Sequence, residues 1–294
     1  MKKDAFIFID KLQREFGLSL KMGIEFEFYF STKYKEIELS NIRIFSDLQE
    51  LFNSSLVAIE EEDGVNQFEV IINYGKPREI SKVFQDSIFK LKKYAQEKGN
   101  LKFINAAKPF ADRPGNGMHF HLSLVNKLNK NEYTKNNNFL SNLLLFSIGG
   151  LCHFMIYDFT SFAPNENSYK RFFTGSYFSS EQVPEYAQYV SSNVSWGVNN
   201  RTTALRIIKD KNNCYHIEHR ISGSDCDLEA VIFAISRAIY WGIFEQINPP
   251  KQVMGNSYDR EYSSLIPFPK SLFGALKKIK QLSLNFEKYK KTAE

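Results

Sequence analysis

The sequence predicts an α+β fold with an antiparallel sheet. Two observations carry this. Segments of period-two alternation recur along the chain, and the connections between them are of both hairpin and helix length. The composition agrees, since 43% of the 294 residues are hydrophobic and 27 Phe with 15 Tyr supply a large core.

Residues 1–20 place Phe6, Ile9, Leu12 and Phe16 near helical spacing, and Gly17 ends that helix. Lys21 to Phe30 alternates and predicts a strand. A polar connection with a short helix follows over 31–50. Val57 to Asn73 reads as strand, acidic loop and strand. Ser81 to Lys98 predicts a helix closed by Gly99, and Leu101 to Ala107 a strand. Met118 to Val125 alternates again. Phe139 to Tyr157 is almost long enough to span a bilayer, but Ser141, Asn142, Ser147, two glycines and His153 make a buried core helix the better reading. Trp196 to Ile208 and Tyr215 to Ile221 read as a strand pair, and Leu228 to Ile243 as an apolar helix. Leu276 to Lys291 predicts an amphipathic helix with a solvated lysine face. We expect one domain over residues 1–294.

The net charge of +5 is spread over both signs, so no nucleic-acid partner is expected. The apolar run Phe6 to Ile9 is cut by Asp10, Lys11, Arg14 and Glu15, which argues against a signal peptide. Three cysteines without a CxxC pair fit reduced thiols, hence a cytoplasmic protein with no membrane partner.

Chemistry concentrates in a few places. Glu25 and Glu27 sit two apart on a strand, so both carboxylates share one face. Glu62 to Glu69 brackets a turn with acids, and Glu60 and Glu61 add charge. His119 and His121 repeat the two-residue spacing after Gly115-Asn116-Gly117, a segment that lets backbone approach a ligand. Arg171, Arg201, Arg206 and Arg220 offer forks suited to phosphate and carboxylate. Each feature alone also fits solvated acids, structural histidines or surface ion pairs. Together, if Glu25, Glu27, Glu62, Glu69 and Glu218 converge, pairs about 5 Å apart repel by roughly 3 kcal/mol at an effective dielectric near 20. Cations among them relieve that repulsion, and oxygen donors with an imidazole suit Mg²⁺ or Mn²⁺ rather than structural zinc. Metals with several arginines suit phosphoryl transfer.

An ordered series of segments resembles the glutamine synthetase family. MGIEFEF at 22–28, EDGVNQFEV at 62–70, GKP at 75–77, KPF at 108–110, GNGMHFHLSL at 115–124, NSYKR at 167–171, SWGVNNRTTALR at 195–206 and IEHR at 217–220 match its blocks in order. The resemblance implies a curved antiparallel sheet flanked by helices. It implies an ATP-dependent ligase that phosphorylates the side-chain carboxylate of glutamate, or a similar acid, and then joins it to ammonia or an organic amine. It implies two or more Mg²⁺ or Mn²⁺ ions, one held by Glu27, Glu62 and Glu69, the other by Glu25, His119 and Glu218. His121 and Ser123 match nucleotide-site positions, and Gly115 matches a glutamate-contacting backbone. Arg171 and Arg220 match arginines facing glutamate and the transferred phosphoryl group, while Arg201 and Arg206 match arginines near ATP phosphates.

The departures are as informative. The first motif begins at Gly23, so the small β-grasp domain that precedes it in the family, with its ammonium-binding Asp, is expected to be absent. The family's flap Glu falls at Tyr177, and an Arg before the I-E-x-R block reads His216. These changes favour an organic amine over ammonium. A non-catalytic relative that senses nucleotide or glutamate is the alternative, and a separate chain supplying the missing domain is a third. A homo-oligomer is left open.

Overall fold

The computed structural model describes residues 4–32, 41–134, 140–172 and 189–283. Eight strands form one open sheet in the order β2-β3-β1-β5-β8-β7-β6, with β4 on the far end of β1. In chain order these are β1 (Ser19–Thr32), β2 (Val57–Glu61), β3 (Gln67–Gly75), β4 (Leu101–Ile104), β5 (Met118–Val125), β6 (Trp196–Val198), β7 (Leu205–Lys209) and β8 (Tyr215–His219). The helices are α1 (Ile7–Phe16), α2 (Asn41–Leu51), α3 (Pro77–Glu97), α4 (Asn142–Phe154), the single turns α5 (Phe159–Phe162) and α6 (Glu166–Tyr169), α7 (Leu228–Phe244) and α8 (Leu272–Ser283).

Strand β1 is the long centre of the sheet because its sequence divides by parity. Met22, Ile24, Phe26, Phe28 and Phe30 are buried on the helix-covered face, while Gly23, Glu25 and Glu27 take the other. Phe26, Phe28, Phe68, Phe84 and Phe103 meet there in edge-on and tilted pairs. Helix α1 ends where expected, at Gly17 in the left-handed region (φ 68°).

The core helices α4 and α7 pack at very short range. A Cβ on Gly150 would lie 2.0 Å from the Ala238 carbonyl oxygen, and one on Gly242 would lie 2.2 Å from that of Phe146. Near them Arg237 forms a buried ion pair with Asp158 and stacks over the rings of Phe154, Tyr157 and Phe233. Among the described residues, no helix is long and apolar enough to cross a membrane.

The structure corrects two expectations. Trp196 to Ile208 is not one strand, because the chain turns between β6 and β7. Asn199 adopts φ 49°, and the Asn200 side-chain oxygen accepts hydrogen bonds from the Thr202 N–H and hydroxyl. Strands β6 and β7 therefore run parallel, and this pair is the exception in an otherwise antiparallel sheet. The strand expected over 101–107 stops at Ile104. Tyr177 and the end of the basic tail lie outside the described residues.

Candidate active site

Strand register assembles the acids. Glu60 on β2 faces Glu69 on β3, and Glu69 faces Glu27 on β1, a row of three carboxylates across adjacent strands. Like charges opposite one another destabilise a sheet, so a fold has no stability reason to keep this row. One strand further on, Glu25 pairs with His119, while Gly23, His121, Glu218 and Arg206 form the neighbouring row. Gly23 fits that row closely, since a Cβ there would lie 3.1 Å from the Ile72 carbonyl oxygen.

These groups line a cavity of about 380 Å³. Potential ligand atoms of Glu27, Glu62 and Glu69 lie within 4.8 Å of one another. So do those of Glu25, Glu69 and His119, and those of Glu25, His121 and Glu218. The expected second set is also close: His119 Nδ1 is 3.4 Å from Glu25 and 3.6 Å from Glu218. Glu69 and His119 thus link the two sets.

The electrostatics follow from burial. Glu69 is pushed up to about 10 by desolvation and by the charges of Glu25, Glu27 and Glu62. Desolvation also raises Glu62, to about 7, with Glu27 the next cause. Burial acts upward on Glu25 too, but hydrogen bonds and charge from His119 and His121 hold it below the ordinary carboxylate value. Glu218 is likewise lowered overall: against its desolvation stand Arg220, His119 and His121. Its carboxylate is bound by the Arg220 guanidinium and lies 3.2 Å from Arg206. Burial beside His121 pushes His216 down to about 4.

The basic residues sit around the same cavity. Arg171 is buried, and its fork donates to the Ile221 and Arg220 carbonyls at 2.7 and 3.1 Å. Arg206 also donates to the Asn199 side chain at 2.7 Å. Arg201 is exposed at the rim, over the Tyr189 ring. Gly115 lines the cavity, and a Cβ there would lie 2.7 Å from the Ala107 carbonyl oxygen. Of the anticipated site residues, Ser123 alone is not in this wall. It follows His119 and His121 on the same face of β5, but lines an adjacent cavity of about 300 Å³ with Tyr74, Asp210 and His216.

Sequence reasoning missed some supports. The Gln67 side-chain amide donates to the Gly115 carbonyl and the Asn116 side chain, and its oxygen accepts from the Gly64 N–H. It ties the acidic turn to the Gly-rich loop. The Gly117 N–H donates to Glu27 at 2.7 Å, and a Cβ on Gly117 would press on Arg171, His119 and Glu27. The glutamine that opens β3 directly after the acidic turn was the available signal for the first. Nothing local marked the second.

Comparisons with known proteins identify the family and the fold. The family model described as "Glutamine synthetase, catalytic domain" matches residues 42–288. The chain is 27% identical over 287 residues to gamma-glutamylputrescine synthetase from Escherichia coli (strain K12), covering 87% of this chain and 57% of that protein. It is 28% identical over 208 residues to a glutamate–isopropylamine ligase from a Pseudomonas species, covering 69% and 42%. With the glutamine synthetase of Thermotoga maritima it shares 30% over 180 residues, covering 59% and 38%. A solved GmaS–ADP complex superposes with a TM-score of 0.80 at 22% identity, over 94% of this chain and 67% of that one, and shows a shared fold. The fold and the family match define a domain of the glutamine synthetase catalytic-domain type. The chain belongs to the glutamine synthetase family, and it spans about half the length of the curated relatives it matches.

Proposed function

We propose that this protein is an ATP-dependent carboxylate–amine ligase that joins glutamate, or a similar acid, to an amine through an acyl phosphate. The observation that carries this reading is the cluster of carboxylates in one cavity, Glu69 and Glu218 buried and Glu25, Glu27 and Glu62 half-buried, with Arg171, Arg201, Arg206 and Arg220 lining the same cavity. A protein that only bound nucleotide would have no use for acids that repel one another and are held partly protonated.

The donor set fits divalent cations. Glu27, Glu62 and Glu69 offer oxygens alone, whereas Glu25 and Glu218 share His119, and such oxygen-rich sets suit Mg²⁺ or Mn²⁺. Bound there, the ions would neutralise phosphate oxygens and the acids alike. The chain's own residues do the rest. Arg171 is anchored by backbone carbonyls, so its charge is fixed in place for an anionic substrate or phosphoryl group. Arg220 and Arg206 are oriented by Glu218 and present further positive charge. Gln67 holds the Gly115 segment against the acidic turn, which positions backbone for a substrate carboxylate.

The amine is an organic one in this reading, supported by Tyr177 at the family's flap position and by the names of two of the three matched relatives above. The test is phosphate release from ATP with Mg²⁺ or Mn²⁺, glutamate and a panel of diamines, alkylamines, amino alcohols and ammonium. Release that depends on all three components is expected. Metal binding without turnover on any amine would refute it.

A further inference from the structure

The wall between the two cavities contains a histidine pair. His121 belongs to the acidic cavity and His216 to the adjacent one. His121 Nδ1 and His216 Nε2 are 3.2 Å apart, and the ring of Tyr74 packs edge-on against both. On its other side, His121 Nε2 lies 2.9 Å from Glu25 Oε1.

The charge of Glu25, 2.9 Å away, favours the proton on His121 Nε2, although that N–H is not aimed along the contact. In the uncharged ring, Nδ1 then holds the lone pair. His216 Nε2 must therefore supply the N–H across the 3.2 Å contact. Glu25 meanwhile turns its second oxygen toward His119, at 3.4 Å. The chain of contacts runs from His216 through His121 to Glu25, from one cavity into the other.

We propose that His216 is a positioning residue. It donates to His121 Nδ1, fixes the tautomer and ring orientation of His121, and through it fixes the pose of Glu25. This rests on reading the acidic cavity as the metal and phosphoryl-transfer site. There, partners behind a ligand typically change metal affinity by roughly 10–100-fold. His216 occupies the position where the family resemblance leads one to expect arginine, so this chain has an uncharged donor where a permanent cation is expected.

Two variants separate positioning from packing. His216→Gln keeps an N–H at similar reach, and His216→Phe keeps the ring and loses the donor. The ¹⁵N spectrum of histidine-labelled protein reports the tautomer of His121, assigned by its loss in His121→Asn. Unprotonated Nδ1 is expected in the unsubstituted protein and in His216→Gln, and loss of that preference in His216→Phe. Titration calorimetry with Mn²⁺ should show binding weakened about tenfold in His216→Phe and within about twofold of normal in His216→Gln. Neither readout needs turnover, so both stand if the ligase reading fails. If turnover is found, KM for ATP should rise more than kcat falls. A protonated Nδ1 in the unsubstituted protein overturns the proposal. So does an unchanged His216→Phe, or equal loss in both variants. If His216→Phe does not fold, the other two spectra decide.

Discussion

Replacing Glu69 by glutamine tests whether the acid row is held for cations. Glu69 is 7% exposed and its carboxyl is pushed from 4.5 to about 10. At pH 7 the unfolded chain ionises it and the folded, metal-free chain does not. The gap between 4.5 and 7 corresponds to about 3 kcal/mol against folding, at ~1.36 kcal/mol per pH unit. The sign follows from the raised value. The contribution to stability is full below pH 4.5 and is lost as pH rises toward 10. Glutamine has nearly the same shape and no such cost, so metal-free Glu69→Gln should be about 3 kcal/mol more stable at pH 7. With an unfolding entropy near 2.1 cal/mol/K per residue, that is a rise in Tm of about 5 °C. At pH 4 the gain should vanish. Mn²⁺ at a hundred times its Kd should stabilise the unsubstituted protein by about 2.7 kcal/mol, and Glu69→Gln far less. Scanning calorimetry at two pH values, with and without Mn²⁺, measures all four quantities. A lower metal-free Tm for the variant at pH 7, an equal gain at both pH values, or an undiminished Mn²⁺ response would refute the reasoning.

Three further outcomes follow from the same geometry. Because both Glu62 and Glu69 are raised, Tm of the chelator-treated protein should fall between pH 5 and 9, and saturating Mn²⁺ should reduce the fall, since the metal binds the ionised form. Glu218→Ala leaves Arg206 and Arg220 without their carboxylate and should cost about 3–5 kcal/mol in denaturant unfolding, while Glu218→Gln should fold and reduce turnover more than ~100-fold. Gly150→Ala forces α4 from α7 and should cost about 1–3 kcal/mol, with the Mn²⁺-induced shift in Tm preserved.

Much of this site was legible because its parts obey short-range rules. Period two alone put Glu25 with Glu27, and His119 with His121, on single strand faces, and the structure brings both pairs into one cavity. What stayed hidden depends on register. That Glu60, Glu69 and Glu27 stand in one row is a property of how β2, β3 and β1 pair, and no single segment encodes it. The same holds for His216, whose partner His121 is 95 residues away. The parallel β6–β7 pair was missed for a local reason: Asn199 takes a left-handed conformation that the alternation around it conceals.

The distribution of polar groups also separates folding from function within this sheet. On the helix-covered face every alternate residue of β1 from Met22 to Phe30 is apolar and buried, which supplies stability by area. On the opposite face the same strand carries Glu25 and Glu27, which line the cavity and not the core. A single strand therefore meets both demands, because its pleat keeps them on opposite sides. The covering helices tolerate any well-packed apolar set, whereas the acid face tolerates little change. Gly117 makes the contrast concrete. It adds nothing to the apolar core, yet a single methyl there would collide with Arg171 and His119 at 2.7 and 2.8 Å. The constraint at that position comes from the side chains of the site.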